Sequence, residues 1–98
     1  MHARDIAKQM VQGAALGSHS ERVLDFLEYA RSNIRTTQTV AQIAKAIRKA
    51  RGTVADAVRL LRTDSLATSD MGFIKITPAG TKYHKDHLAG KKFPEYTL

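Results

Sequence analysis

The sequence has 98 residues and no cysteine, and its 16 Lys and Arg outnumber its 9 Asp and Glu to give a net charge of +7. This length fits one domain, and the lack of cysteine excludes disulfides, thiolate zinc sites and cysteine nucleophiles. A small basic domain attracts polyanions, most often nucleic acid. Only 6% of the residues are aromatic and none is Trp. The sequence therefore offers few rings on which the bases of a single-stranded nucleic acid could stack.

The N-terminal stretch MHARDIAKQMVQGAALG lacks the continuous apolar run of a signal peptide, since Arg4, Asp5 and Lys8 interrupt it. No other run approaches the roughly 20 apolar residues of a membrane span. We therefore expect a cytoplasmic, nucleoid-associated protein with no membrane partner. Ile6 and Met10 share one face of a predicted amphipathic helix over about 3–12. Residues 1–17 are interpreted as a packing arm or, alternatively, a dimerisation arm.

A capping box is predicted at the start of the next segment, because Ser18 precedes Glu21 by three residues. Apolar residues then recur at helical spacing and predict a helix over about 19–33. Residues 35–39 are polar and β-branched, which indicates a short extended segment.

Two further helices are predicted in the centre of the chain. Thr39 is expected to cap a helix over about 40–47. A third helix follows over about 51–63, with Val54, Val58 and Leu61 on one apolar stripe.

The hydrophobic period then changes from helical to alternating. Strands are predicted over 65–68 and 73–77, joined by a turn from Ser69 to Gly72. This hairpin is followed by a final helix that Thr77 caps and Pro78 begins. That helix is expected to end near Gly90. Its inward side is assigned to Ala79, Tyr83 and Leu88, and the tail over 91–98 is expected to cover the domain or a partner subunit.

Two stretches of the sequence resemble the winged helix-turn-helix family of DNA-binding domains. The first is Ile43-Ala44-x-x-Ile47 followed by Arg51-Gly52-Thr53-Val54-x-x-x-Val58-x-x-Leu61, and the second is Ile74-Lys75-Ile76-Thr77-Pro78-Ala79-Gly80. The resemblance covers about Ser18 to Leu88. It implies a mainly α fold with a small β-hairpin wing over 66–77 (α+β), here a domain over 18–90 with an extra N-terminal helix. Arg48 and Ser65 stand where the family often has Gly, and Lys49 where it has a small apolar residue.

The resemblance implies a small prokaryotic or viral transcriptional regulator that binds double-stranded DNA sequence-specifically. The third helix would enter the major groove. Because one helix reads only a few base pairs, we expect a homodimer on a palindrome. No catalytic residue set is recognisable, so we expect neither an enzyme nor a cofactor. His84 and His87 have a spacing that suits a metal, but two ligands are too few, and no metal is expected.

The positive charge is concentrated between Lys45 and Arg62, where six basic residues oppose only Asp56, a net charge of +5. We expect Ala55, Asp56 and Arg59 to face base edges. Asp56 would accept from a cytosine amino group or orient Arg59 or Arg51. Arg51 itself would contact a phosphate or a guanine. The remaining candidates, expected mainly at phosphates or the DNA backbone, are Arg35, Thr36, Thr37, Lys45, Arg48, Lys49, Gly52, Thr53 and Arg62. In the wing, Lys75 and the turn from Ser69 to Gly72 are expected at the minor groove or the DNA backbone, while Asp70 at the tip argues against strong binding by the wing.

Two other functions compete with sequence-specific regulation. One is a protein-interaction module, such as a viral factor that binds host machinery, whose basic surface meets an acidic protein. The other is an architectural or replication protein that binds DNA with little sequence preference.

Overall fold

In the computed structural model, residues 16–98 are described, and they form a mixed α+β fold with four α-helices and one three-stranded antiparallel sheet. The predicted helix over 3–12 lies outside these residues. In chain order the elements are α1 Ser18–Asn33, β1 Thr37–Gln38, α2 Val40–Ile47, α3 Arg51–Thr63, β2 Ala67–Asp70, β3 Phe73–Ile76, α4 Pro78–Tyr83 and a π-helical turn, His84–Leu88.

Helix α1 provides the base of the core, because Val23, Leu24, Phe26 and Leu27 are almost fully buried on one side. Its predicted capping box is wrong. The N-cap is Gly17, without any side-chain hydrogen bond to the first turn. The carboxylate of Glu21 instead accepts a hydrogen bond from Lys91 Nζ at 3.0 Å, which ties the start of α1 to the C-terminal tail.

Helices α2 and α3 begin and end as predicted, and a three-residue turn joins them. Thr39 Oγ1 accepts from the Gln42 backbone N–H, and Gln42 Oε1 accepts from the Thr39 N–H, so α2 starts with a reciprocal capping box. Arg48 ends α2 in a left-handed conformation with φ of 59°. This reversal lets α3 start only three residues later, with its apolar stripe on the core.

The hairpin turn is shorter than predicted. Only Met71 and Gly72 form the loop, and both have positive φ, which gives two-residue hairpins a twist that matches the strands. Ser69 and Asp70 therefore remain in β2, opposite Ile74 and Phe73. The short extended segment predicted over 35–39 contains β1, which adds a third strand in the order β1-β3-β2.

The final helix differs from its prediction in its helix type and in its inward face. Thr77 caps α4 and Pro78 begins it as expected, and helical structure ends at Leu88, close to the expected Gly90. After Tyr83, however, the helix is π-helical, and Ala79 is exposed. Gly80 faces inward instead, where an added Cβ would lie 2.1 Å from the carbonyl oxygen of Leu66. Two hydrogen bonds from Thr77, to the carbonyls of Ser65 and Leu66, hold the first turn this close.

The C-terminal tail packs on the helical body. The Tyr96 ring meets Phe26 edge-on with centroids 5.0 Å apart, and the Thr97 N–H donates to the Ala46 carbonyl at 2.9 Å. Phe93 is also partly buried against the core. Of the two expected covering roles of the tail, packing on its own domain is therefore observed. Within residues 16–98, no helix is both long and apolar enough to cross a membrane.

Candidate nucleic-acid interface

Helix α3 buries one apolar face and exposes its basic residues, although the apolar Leu60 is exposed as well. Val54, Ala57, Val58 and Leu61 are buried, whereas the side chains at positions 51, 55, 59 and 62 are exposed. Steps of three and four residues bring side chains onto one face of a helix. Three arginines and one alanine methyl group therefore form a row along the outside of α3.

This row forms one wall of an open groove with a volume of about 460 Å³. The start of α2 (39–41) and the hairpin residues Ser69, Gly72 and Ile74 complete the lining. A second depression continues the surface beside β2 and shares Arg59, Arg62 and Ser69 with the first. We call the two together the arginine groove, after Arg51, Arg59 and Arg62, and none of the residues that line it is acidic.

The guanidinium groups of this groove are mostly uncompensated. Arg59 Nη2 lies 3.8 Å from Asp56 Oδ1, but both side chains are more than two-thirds exposed, and such surface pairs are weak. Asp56 thus lies beside one of the two arginines that it was expected to orient. Among residues 16–98, neither Arg51 nor Arg62 is in an ion pair. The groove therefore presents positive charge that an anionic ligand can neutralise.

The N-terminus of α3 adds partial positive charge at one end of the groove. Its N-cap, Ala50, has no side chain that could accept from the first-turn amides, and Arg51 and Gly52 are exposed while Thr53 is half-buried. Free amides and the helix dipole favour an anion at such an end. A side chain at Gly52 would meet nothing within 4 Å, so the space outside this turn is open.

The other predicted contacts lie away from the arginine groove. Arg48 Nε donates to Thr97 Oγ1 at 2.7 Å, so this guanidinium is engaged by the tail. Thr37 and Lys75 are paired across β1 and β3 and line a depression on the outer face of the sheet. Four exposed residues line neither surface, namely Arg35, Thr36, Lys45 and Lys49.

Sequence reasoning missed one wall of the groove. Thr39, Val40 and Ala41 contribute to it from the first turn of α2. The cap predicted at Thr39 was the available signal, because it placed these residues at a helix start. The sequence did not predict how α2 and α3 cross, and this crossing is what brings the first turn of α2 beside Arg51.

A separate polar cluster links α1 to the C-terminal part. Asp25 Oδ1 lies 2.6 Å from His84 Nε2, and Asp25 Oδ2 accepts from the Tyr96 hydroxyl. Burial, with help from this hydrogen bond to a carboxylate, raises the pKa of Tyr96. His87 packs on the Tyr83 ring instead. In the described part of the chain, no group of three or more His, Asp or Glu could hold a metal ion.

Comparison of the sequence with known protein families, with curated proteins and with solved structures found no match. The function must therefore be inferred from the residues of this chain.

Proposed function

We propose that this protein is a winged helix-turn-helix transcriptional regulator that binds double-stranded DNA through helix α3. One observation carries the proposal: Arg51, Arg59 and Arg62 line one open groove in which no acidic residue takes part. A helix of 13 residues with an exposed outer face fits the major groove, which admits one α-helix. Guanidinium groups can donate paired hydrogen bonds to phosphate oxygens and to the guanine edge, and both are accessible in the major groove.

The order of elements supports the same proposal. Helix α2, a tight turn and α3 are followed by the hairpin β2–β3, an arrangement compatible with a winged helix. In this proposal the core packs on the buried face of α3, and the start of α2 together with Ser69 and Gly72 of the hairpin flanks the bound duplex. Arg51 then reaches bases or phosphates at the start of α3 and Arg59 does so about two turns further along, with Ala55 between them.

Specific regulation also requires a second reading unit, because one helix contacts only a few base pairs. We propose a homodimer bound to a palindrome, in keeping with the two-fold symmetry of most small dimers. The number of base pairs between the enriched half-sites would report its geometry.

Selection of binding sites from a random duplex pool tests the proposal and separates it from its competitors. A regulator enriches one motif, repeated with a fixed spacing. A low-specificity architectural protein binds the pool without enrichment. No binding of duplex DNA at low salt, where counterion release most favours it, would contradict the proposal and leave an acidic protein as the partner to seek.

A further inference from the structure

The tip of the hairpin carries a residue that the turn itself disfavours. Met71 has φ of 52° and Gly72 has φ of 85°. Two-residue turns of this kind favour Asn, Asp or Gly, because a larger side chain is strained in the left-handed region. The Met71 side chain is 92% exposed, so packing within the domain does not compensate the strain. A strained residue without a structural use is a candidate for a role outside the domain.

A second apolar side chain lies beside this tip. Residues of β3 alternate, with Ile74 and Ile76 buried and Phe73 and Lys75 on the outer face. The Phe73 ring is 51% exposed, and it lines the same surface depression as Met71. The hairpin therefore projects two adjacent large apolar side chains into solvent.

Cations lie close to this apolar tip. Arg59 and Arg62 of α3 line the depression beside β2 together with Ser69, and Lys75 lies on the outer face with Met71 and Phe73, where Asp70 offsets its charge. An apolar tip next to the arginines of α3 suits a DNA minor groove, where two phosphate walls enclose the stacked base edges. Proteins that kink DNA insert Met, Phe, Leu or Ile at such places.

We propose that Met71, supported by Phe73, is a wedge that enters the minor groove of the duplex held by α3, partly unstacks one base step and bends the DNA. This inference rests on the proposed function and adds to it that the bound DNA is bent. The carboxylate of Asp70 opposes close approach to phosphates, since it is exposed and lines the same depression. Asp70→Asn is therefore expected to tighten binding.

The test measures DNA bending and affinity on one selected duplex that carries dyes at its two ends. Met71→Asn replaces the apolar side chain with one that suits the turn, so the fold is retained. Leu98→Asn makes the same kind of change at another exposed apolar residue, 70% exposed in the tail, and serves as the matched control. Energy transfer reports the bend, and titrations over a range of salt report the affinity.

The wild-type protein and Leu98→Asn should bend the duplex by about 20° or more. Met71→Asn should lose at least half of the bend yet keep the same salt dependence, because no cation is removed. An unchanged bend in Met71→Asn, or binding without bending by the wild type, would overturn the wedge and leave the proposed function intact. Failure of the wild type to bind any duplex would overturn both.

Discussion

Arg48 Nε donates a hydrogen bond of 2.7 Å to Thr97 Oγ1, between residues 49 positions apart in the sequence. The Thr97 backbone N–H also donates to the carbonyl of Ala46. The end of the chain is thus fastened to the last turn of α2 and to the left-handed residue that ends it. Because α3 starts three residues later, the tail supports the turn that aims the proposed DNA-reading helix.

Thr97→Val should lower the free energy of unfolding by about 0.5–1.5 kcal/mol, the net value of a typical hydrogen bond. Valine keeps the shape of the side chain and the backbone bond to Ala46, so only the contact with Arg48 is lost. Urea unfolding measures the change. Thr68→Val, at an exposed position of β2, is the control and should change stability by less than about 0.5 kcal/mol. Equal effects of the two substitutions would show that the Arg48 contact does not stabilise the fold.

Tyr96 should make stability sensitive to alkaline pH. Burial and its hydrogen bond to Asp25 raise the pKa of Tyr96 above its ordinary value of 10.0. The unfolded chain then loses this proton before the folded chain does, so the stabilisation is complete below pH 10 and declines as the pH rises further. In urea unfolding from pH 8 to 11, Tyr96→Phe should be less stable than the wild type at pH 8 but should decline less steeply above pH 10. Parallel profiles would contradict this assignment. A smaller decline should remain in the variant, because burial also raises the pKa of Tyr83.

Gly80→Ala should destabilise the protein by about 3 kcal/mol, the upper end for overpacking a core. The added Cβ would lie 2.1 Å from the Leu66 carbonyl oxygen, and backbone cannot move aside cheaply. Gly52→Ala is the matched helical control, because its Cβ would meet nothing within 4 Å. The control should be stabilised by at most about 0.5–1 kcal/mol, the advantage of Ala over Gly inside a helix, because Gly52 lies in the first turn of α3. Thermal unfolding compares the two, and a stable Gly80→Ala protein would show that α4 does not sit this close to Leu66.

Ser65→Gly should stabilise the fold by about 1 kcal/mol. Ser65 has φ of 62°, where the Cβ of an L-residue is strained and glycine is not. Its backbone bonds to Arg62 and Thr77 would be retained. Ser69→Gly, in the extended strand β2, should instead destabilise, since glycine weakens strands. Chemical denaturation of both variants checks the signs, and destabilisation by Ser65→Gly would contradict the strain argument.

Most parts of the fold that depend on local sequence were predictable, although the capping box expected at Ser18 did not form. Thr39 and the periodic apolar residues of α2 and α3 fixed the limits of both helices, and the basic residues of α3 were identified as a candidate surface. The parts that depend on contacts between distant residues were not. The inward position of Gly80 requires the carbonyl of Leu66 beside it, and the engagement of Arg48 requires Thr97. The turn at Met71 was misjudged for another reason, because methionine gives no signal for a left-handed conformation.

Salt-dependent DNA affinity of Arg59→Ala, compared with Lys92→Ala, tests the central claim most directly. Each substitution removes one exposed positive charge, but only Arg59 lines the arginine groove. Arg59→Ala should weaken binding to a selected duplex. The loss should be about 1–3 kcal/mol if Arg59 contacts a base, and the salt slope should be lower by about 1 if it contacts a phosphate. Lys92→Ala should bind nearly as the wild type does. Equal affinities and equal slopes for the two variants would contradict the assignment of α3 as the DNA-binding element.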